Sequence, residues 1–136
     1  MPTEIWDKRL AHLDVLVVED ELIMRNMVEY ALKAMGVTKI TPATNGKQAL
    51  TLVAQSNKAF DLIVSDWKMP VMDGLAFLKE LRKSGDKTPF LMLTSMATKE
   101  EVTMAAKAGA NSYIAKPFST DNLYKKIVVL MKNRPA

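Results

Sequence analysis

The 136-residue chain has no cysteine and one histidine, His12. A disulfide framework and a thiolate metal site are therefore excluded. Glycine is scarce, at 5 residues, and none of them sits in a G-x-x-x-x-G-K-[ST] loop. Nothing then cradles a nucleoside triphosphate, which argues against nucleotide hydrolysis. No apolar run approaches the length of a membrane span. The opening segment is interrupted by Glu4, Asp7, Lys8 and Arg9, so it lacks the apolar core of a signal peptide. These absences lead us to expect a cytoplasmic protein with no membrane contact. The net charge of +4 is mild, and no basic stripe is interleaved with aromatics. Nucleic acid is accordingly not an expected partner.

What is present is an alternation of short apolar runs with longer helical patterns. Strands are predicted at Asp14–Val18, Lys39–Ala43, Leu62–Ser65, Phe90–Leu93 and Tyr113–Ala115. Helices are predicted at Leu22–Met35, Lys47–Gln55, from Asp73 as a cap to about Lys83, at Lys99–Ala108 and at Asp121–Lys132. In the first helix Ile23, Met27, Tyr30, Ala31 and Met35 recur at helical spacing, and Met27, Met35 and Met131 read as core. Gly36, Gly85 and Gly109 stand where helices end. Three strands are continuous apolar runs, as strands buried on both faces should be. The expected fold is α/β, a doubly wound (βα)5 sandwich. It spans residues 14–132, between tails at 1–13 and 133–136 that are expected to be loosely held.

Open α/β sheets bind ligands outside the carboxyl ends of their strands. Read that way, the first strand ends in Glu19 and Asp20, and the third in Asp66. The fourth ends in Thr94, and the fifth in Lys116 followed by Pro117. Carboxylates about 4 Å apart repel by about 4 kcal/mol at an effective dielectric of about 20, so three of them call for a cation. Oxygen donors without thiolate favour Mg2+ over zinc. Mg2+ held by Glu19, Asp20 and Asp66 would let a phosphate approach, a carboxylate could attack it, and Lys116 and Thr94 would hold the transferred group. Glu21 reads as a residue of the first helical turn, Asp73 as an N-cap, and Trp67 as packing beside the site.

The segments Val17–Asp20 (VVED), Ser65–Gly74 (SDWKMPVMDG), Leu93–Ser95 (LTS) and Tyr113–Phe118 (YIAKPF) resemble the receiver domains of two-component response regulators. The likeness runs from about Asp14 to Met131 and is strongest to the single-domain chemotaxis regulators. It implies a five-stranded parallel sheet in the flavodoxin-like order 2-1-3-4-5. It implies Asp66 as phosphoacceptor for a sensor histidine kinase, Glu19 and Asp20 as the acidic metal pocket, and the Lys68 backbone carbonyl as a further Mg2+ ligand. Thr94 and Tyr113 become switch residues, with a cis bond at Lys116–Pro117. Val102, Ala106, Tyr113, Ala115 and Lys126 match positions that face partners, and Lys99 and Lys126 suit an acidic, amphipathic target peptide. The flagellar motor switch is the target this implies, for a protein expected to be a monomer.

The sequence also departs from that pattern. Glu19 stands where many members have Asp, Lys68 where chemotaxis members usually have Asn, and Met96 where they often have Glu. Both Lys68 and Met96 border the path of attacking water in the family, so slow loss of the phosphoryl group is expected. Other functions stay open: a phosphate sink, a non-chemotactic phosphorelay, a phosphate-independent binding module, or an aspartyl-phosphate phosphatase. The last lacks its general acid, because Lys68 stands two residues after Asp66.

Overall fold

A computed structural model describes residues 8–95 and 98–133. Five parallel strands, β1 (Asp14–Val18), β2 (Lys39–Ala43), β3 (Leu62–Asp66), β4 (Phe90–Thr94) and β5 (Ser112–Ala115), form one sheet in the order β2-β1-β3-β4-β5. They alternate with α1 (Leu22–Ala34), α2 (Gly46–Gln55), α3 (Gly74–Lys83), α4 (Lys99–Ala108) and α5 (Thr120–Lys132). The doubly wound (βα)5 expectation and its strand order are met. Every residue of β3 and β4 is buried, which is why these segments are unbroken apolar runs. β2 lies at an edge and tolerates Pro42, which has no N–H to give to a further strand.

The sheet divides the core in two. One half joins Val15, Val17, Leu91 and Leu93 to Val28, Leu32, Leu123 and Ile127 of α1 and α5. The other joins Leu16, Ile63, Phe90 and Met92 to Ala49, Phe77, Leu81 and Ala105 of α2, α3 and α4. Four of the five helices carry a side-chain cap, Asp73 as expected, and α1 has none at Glu21. Asn45, Asp73, Thr98 and Ser119 each accept a hydrogen bond from a backbone N–H three residues on.

Three readings change. β3 and β4 each run one residue further than their apolar runs, because Asp66 and Thr94 still pair with Leu93 and Ala115. In α1 the inward stripe is Val28, Ala31 and Leu32, continued by Met35 at the C-cap, whereas Ile23, Met27 and Tyr30 are exposed. Met27 is therefore not a core residue. Finally, a 3-10 helix at Lys8–His12 carries Leu10, 1% exposed, and Leu13 into the half-core under α1 and α5. That part of the expected tail is anchored by apolar burial.

Candidate functional site

Parallel strands end together, so the residues just beyond β1, β3, β4 and β5 meet at one edge. Glu19 follows β1 directly, and its N–H donates to the Ala43 carbonyl at 2.9 Å, in continuation of the ladder to β2. The side chain therefore enters the protein and has no exposed surface. Asp20, the next residue, is exposed. Asp66 ends β3 with only 6% exposure. Its Oδ1 accepts from the Trp67 N–H at 2.8 Å. Carboxylate oxygens of Glu19, Asp20 and Asp66 lie within 4.8 Å of one another.

Lys116 spans the cluster. Its Nζ lies 2.9 Å from Asp66 Oδ2 and 3.2 Å from Glu19 Oε1. The chain reaches this point because the Lys116 N–H donates to the Thr94 carbonyl at 2.8 Å, which ties β5 to the end of β4. The Lys116–Pro117 peptide bond is cis. Thr94 is 5% exposed at the same edge.

The electrostatics follow from burial. Desolvation pushes the Glu19 carboxyl up to about 7. The Glu21 N–H, which donates to Glu19 Oε2 at 3.2 Å, works against this, while the Asp66 charge adds to it. The Lys116 ammonium is opposed by its own burial, but its hydrogen bond to Asp66 and the charges of Asp66 and Glu19 outweigh that and raise its pKa. When fully ionised, three carboxylates against one ammonium leave two negative charges, the charge of one divalent cation. All the side-chain donors are oxygens, and exposed Asp20 keeps one side open to solvent. The residues thus fit a hard cation with retained waters.

The loop between β3 and α3 folds back against the end of β3. The Gly74 N–H donates to the Trp67 carbonyl at 2.7 Å. A Cβ at Gly74 would come within 2.0 Å of the Asp66 carbonyl oxygen. Gly74 is thus required by close backbone approach. Trp67 is 9% exposed and packs in the half-core under α2, α3 and α4. Lys68 is exposed, and Val71 adopts a positive φ of 70°. Met96 lies outside the described residues.

Away from the pocket, Tyr113 is 37% exposed and lies beneath the Lys126 ammonium, 5.2 Å from the ring centroid. Lys99, Ala106 and Ala115 are exposed, and Val102 is half-buried. Sequence reasoning did not foresee that one ammonium would bridge Glu19 and Asp66. These residues are 97 positions and 50 positions from Lys116, and no local pattern links them.

A flavodoxin-like sheet with an acidic cluster and a lysine at its carboxyl edge is the architecture of a receiver. The family model described as "Response regulator receiver domain" matches residues 15–128, and the chain belongs to that family. Its relatives make it a CheY-like receiver of a two-component system. It is 36% identical to Chemotaxis protein CheY-3 of Vibrio cholerae serotype O1 over 118 residues, 85% of this chain and 89% of that protein. It is 35% identical to Chemotaxis protein CheY of Pseudomonas aeruginosa over 117 residues, 85% and 93% of the two chains. Among solved structures, the receiver domain of Francisella response regulator 1452 matches with a TM-score of 0.81 at 35% identity, over 89% of this chain and 98% of that one. The chemotaxis response regulator CheY4 of Vibrio cholerae matches with a TM-score of 0.79 at 33% identity, over 87% and 98%. Among the described residues, no helix is long and apolar enough to cross a membrane.

Proposed function

We propose that this protein is a phosphorylation-controlled switch of the cytoplasm, charged by a sensor histidine kinase at Asp66. The observation that carries the reading is the Lys116 ammonium held 2.9 Å from Asp66 Oδ2 inside a cluster of three carboxylates. An Asp66 oxygen attacks the phosphorus of a phosphohistidine. The O–P bond forms, the P–N bond breaks, and the imidazole leaves. Lys116 then exchanges its pairing with the carboxylate for one with the phosphoryl oxygens, as a mobile point charge can. Thr94, at the neighbouring strand end, donates its hydroxyl to the same group. Glu19, Asp20, Asp66 and the Lys68 carbonyl would hold Mg2+. When bound, the ion supplies neutralisation of the acidic cluster and of the charge on the phosphoryl oxygens.

Output runs through α4, β5 and α5. Movement of Thr94 toward the phosphoryl group opens space for Tyr113, whose ring leaves Lys126 and turns inward. The face of Lys99, Val102, Ala106, Tyr113, Ala115 and Lys126 thereby changes its affinity for a target, with a coupling of about 1–3 kcal/mol. The chemotaxis names of the relatives favour a flagellar motor switch protein as that target.

The test is intact mass after incubation with Mg2+ and acetyl phosphate. One added phosphoryl group on the wild type, absent from Asp66→Ala, is expected; an adduct that survives in the variant refutes the assignment. By the resemblance to receivers, the Lys68 and Met96 positions border the path of attacking water, so the phosphoryl group should be long-lived. Lys68→Asn, alone and with Met96→Glu, is expected to shorten its lifetime in the same assay after removal of the donor. An unchanged lifetime removes the shielding role.

A further inference from the structure

We infer that the groove between α3 and α4 is a second docking surface, built for an acidic segment of a partner protein that carries an apolar anchor residue. The groove has a volume of about 600 Å³. Lys79, Arg82 and Lys83 line it from α3, and Lys107 from α4. Leu75 and Met104 supply its apolar surface. Met104 is 49% exposed, a large apolar side chain left in water.

Charge complementarity identifies the occupant. Lys79, Lys83 and Lys107 are exposed, and among the described residues none of them has a carboxylate within ion-pair distance. Arg82 is fixed by neutral acceptors, and the Asp86 charge offsets its own only in part. Its Nε and Nη2 donate to the Gly109 carbonyl at 3.2 and 2.9 Å, Nη2 also to Asn111 Oδ1 at 3.0 Å, and Nη1 to the Asp86 carbonyl at 3.0 Å. All these acceptors are neutral groups. Four cationic side chains therefore surround an apolar patch, and a partner that satisfies both must be anionic with an apolar tooth.

The groove is also preformed. Arg82 pins α3 to the C-cap of α4, and a Cβ at Gly109 would meet the arginine side chain at 2.9 Å. At the other end Leu75 follows Gly74, whose backbone abuts Asp66. A rigid cleft loses less entropy on binding than a mobile one. The lining contains no aromatic ring on which bases could stack, which disfavours nucleic acid. This cleft lies on the α3 side of α4 and is distinct from the face formed by α4, β5 and α5.

The test uses fluorescence anisotropy of the full chain without phosphodonor, so that it is independent of Asp66 chemistry. The probe is a short fluorescein-labelled peptide of glutamate and leucine in an amphipathic helical pattern, with a lysine–leucine peptide beside it. The acidic peptide is expected to bind and the basic one not to. Combined Lys79→Glu, Lys83→Glu and Lys107→Glu should weaken binding by about tenfold or more, in proportion to three lost charge contacts. The corresponding glutamine triple, which reverses no charge, should lose less, and Met104→Asn should lose affinity with the charge of the groove unchanged. Reversal of Lys33, Lys47 and Lys58, exposed lysines elsewhere, should leave binding intact. Equal loss in that control would make the attraction a bulk charge effect and overturn the proposal. So would absence of binding, or capture by phosphatidylserine vesicles that the groove triple abolishes while the peptide does not compete.

Discussion

Glu19 is a carboxylate with no exposed surface, and its pKa near 7 has a consequence for stability. Between pH 4.5, where the unfolded side chain ionises, and about 7, the native state holds a proton that the unfolded chain has released. Stability must then fall as pH rises through that interval, the reverse of a salt-bridged carboxylate. Lys116 stays charged throughout, because its pKa is raised from 10.5. Urea unfolding in EDTA should show this decline, and Glu19→Gln should flatten it. A wild-type curve that rises over the interval would show Glu19 to be ionised and stabilised by Lys116 instead. The residues of this site were legible in the sequence because each follows a strand that an apolar run reveals. Their roles were less so: the burial of Glu19 and the double pairing of Lys116 arise from contacts between distant segments, and no motif encodes them.

At the scale of elements, the β3–α3 loop carries the most constrained backbone. Val71 lies at φ 70°, a region that costs an L-residue about 1–2 kcal/mol and a β-branched one more. Its side chain is 77% exposed, so little packing is lost on replacement. Val71→Asn should therefore stabilise the protein by about 1 kcal/mol, read as a higher urea midpoint with unchanged slope. A lower midpoint would mean that the valine makes contacts worth more than the backbone cost. The same scale explains where pattern reading failed. α1 carries two apolar stripes, and hydrophobicity does not say which faces the sheet. Packing chose Val28, Leu32 and Met35, leaving Ile23 and Tyr30 in solvent. Strand ends failed differently, since a ladder continues through a polar residue such as Asp66 or Thr94 when its neighbour supplies a partner.

For the molecule as a whole, the sheet keeps two half-cores apart. Leu10 inserts into the half under α1 and α5, at the amino edge of the sheet and so opposite the edge that carries the chemistry. Leu10→Ala should cost about 2–5 kcal/mol, measured by urea unfolding, while phosphoryl uptake from acetyl phosphate proceeds as in the wild type. Loss of uptake at temperatures where the variant is folded would show that the half-cores are coupled. The 3-10 helix enters the sheet at the amino edge of β1, and α5, which runs back from the carboxyl edge after β5, brings Leu130 to the same apolar half. Both ends of the described chain thus emerge on the side away from Asp66. A fluorescent label or an affinity handle held close to residue 8 or residue 133 would sit at the back of the molecule and leave the pocket open.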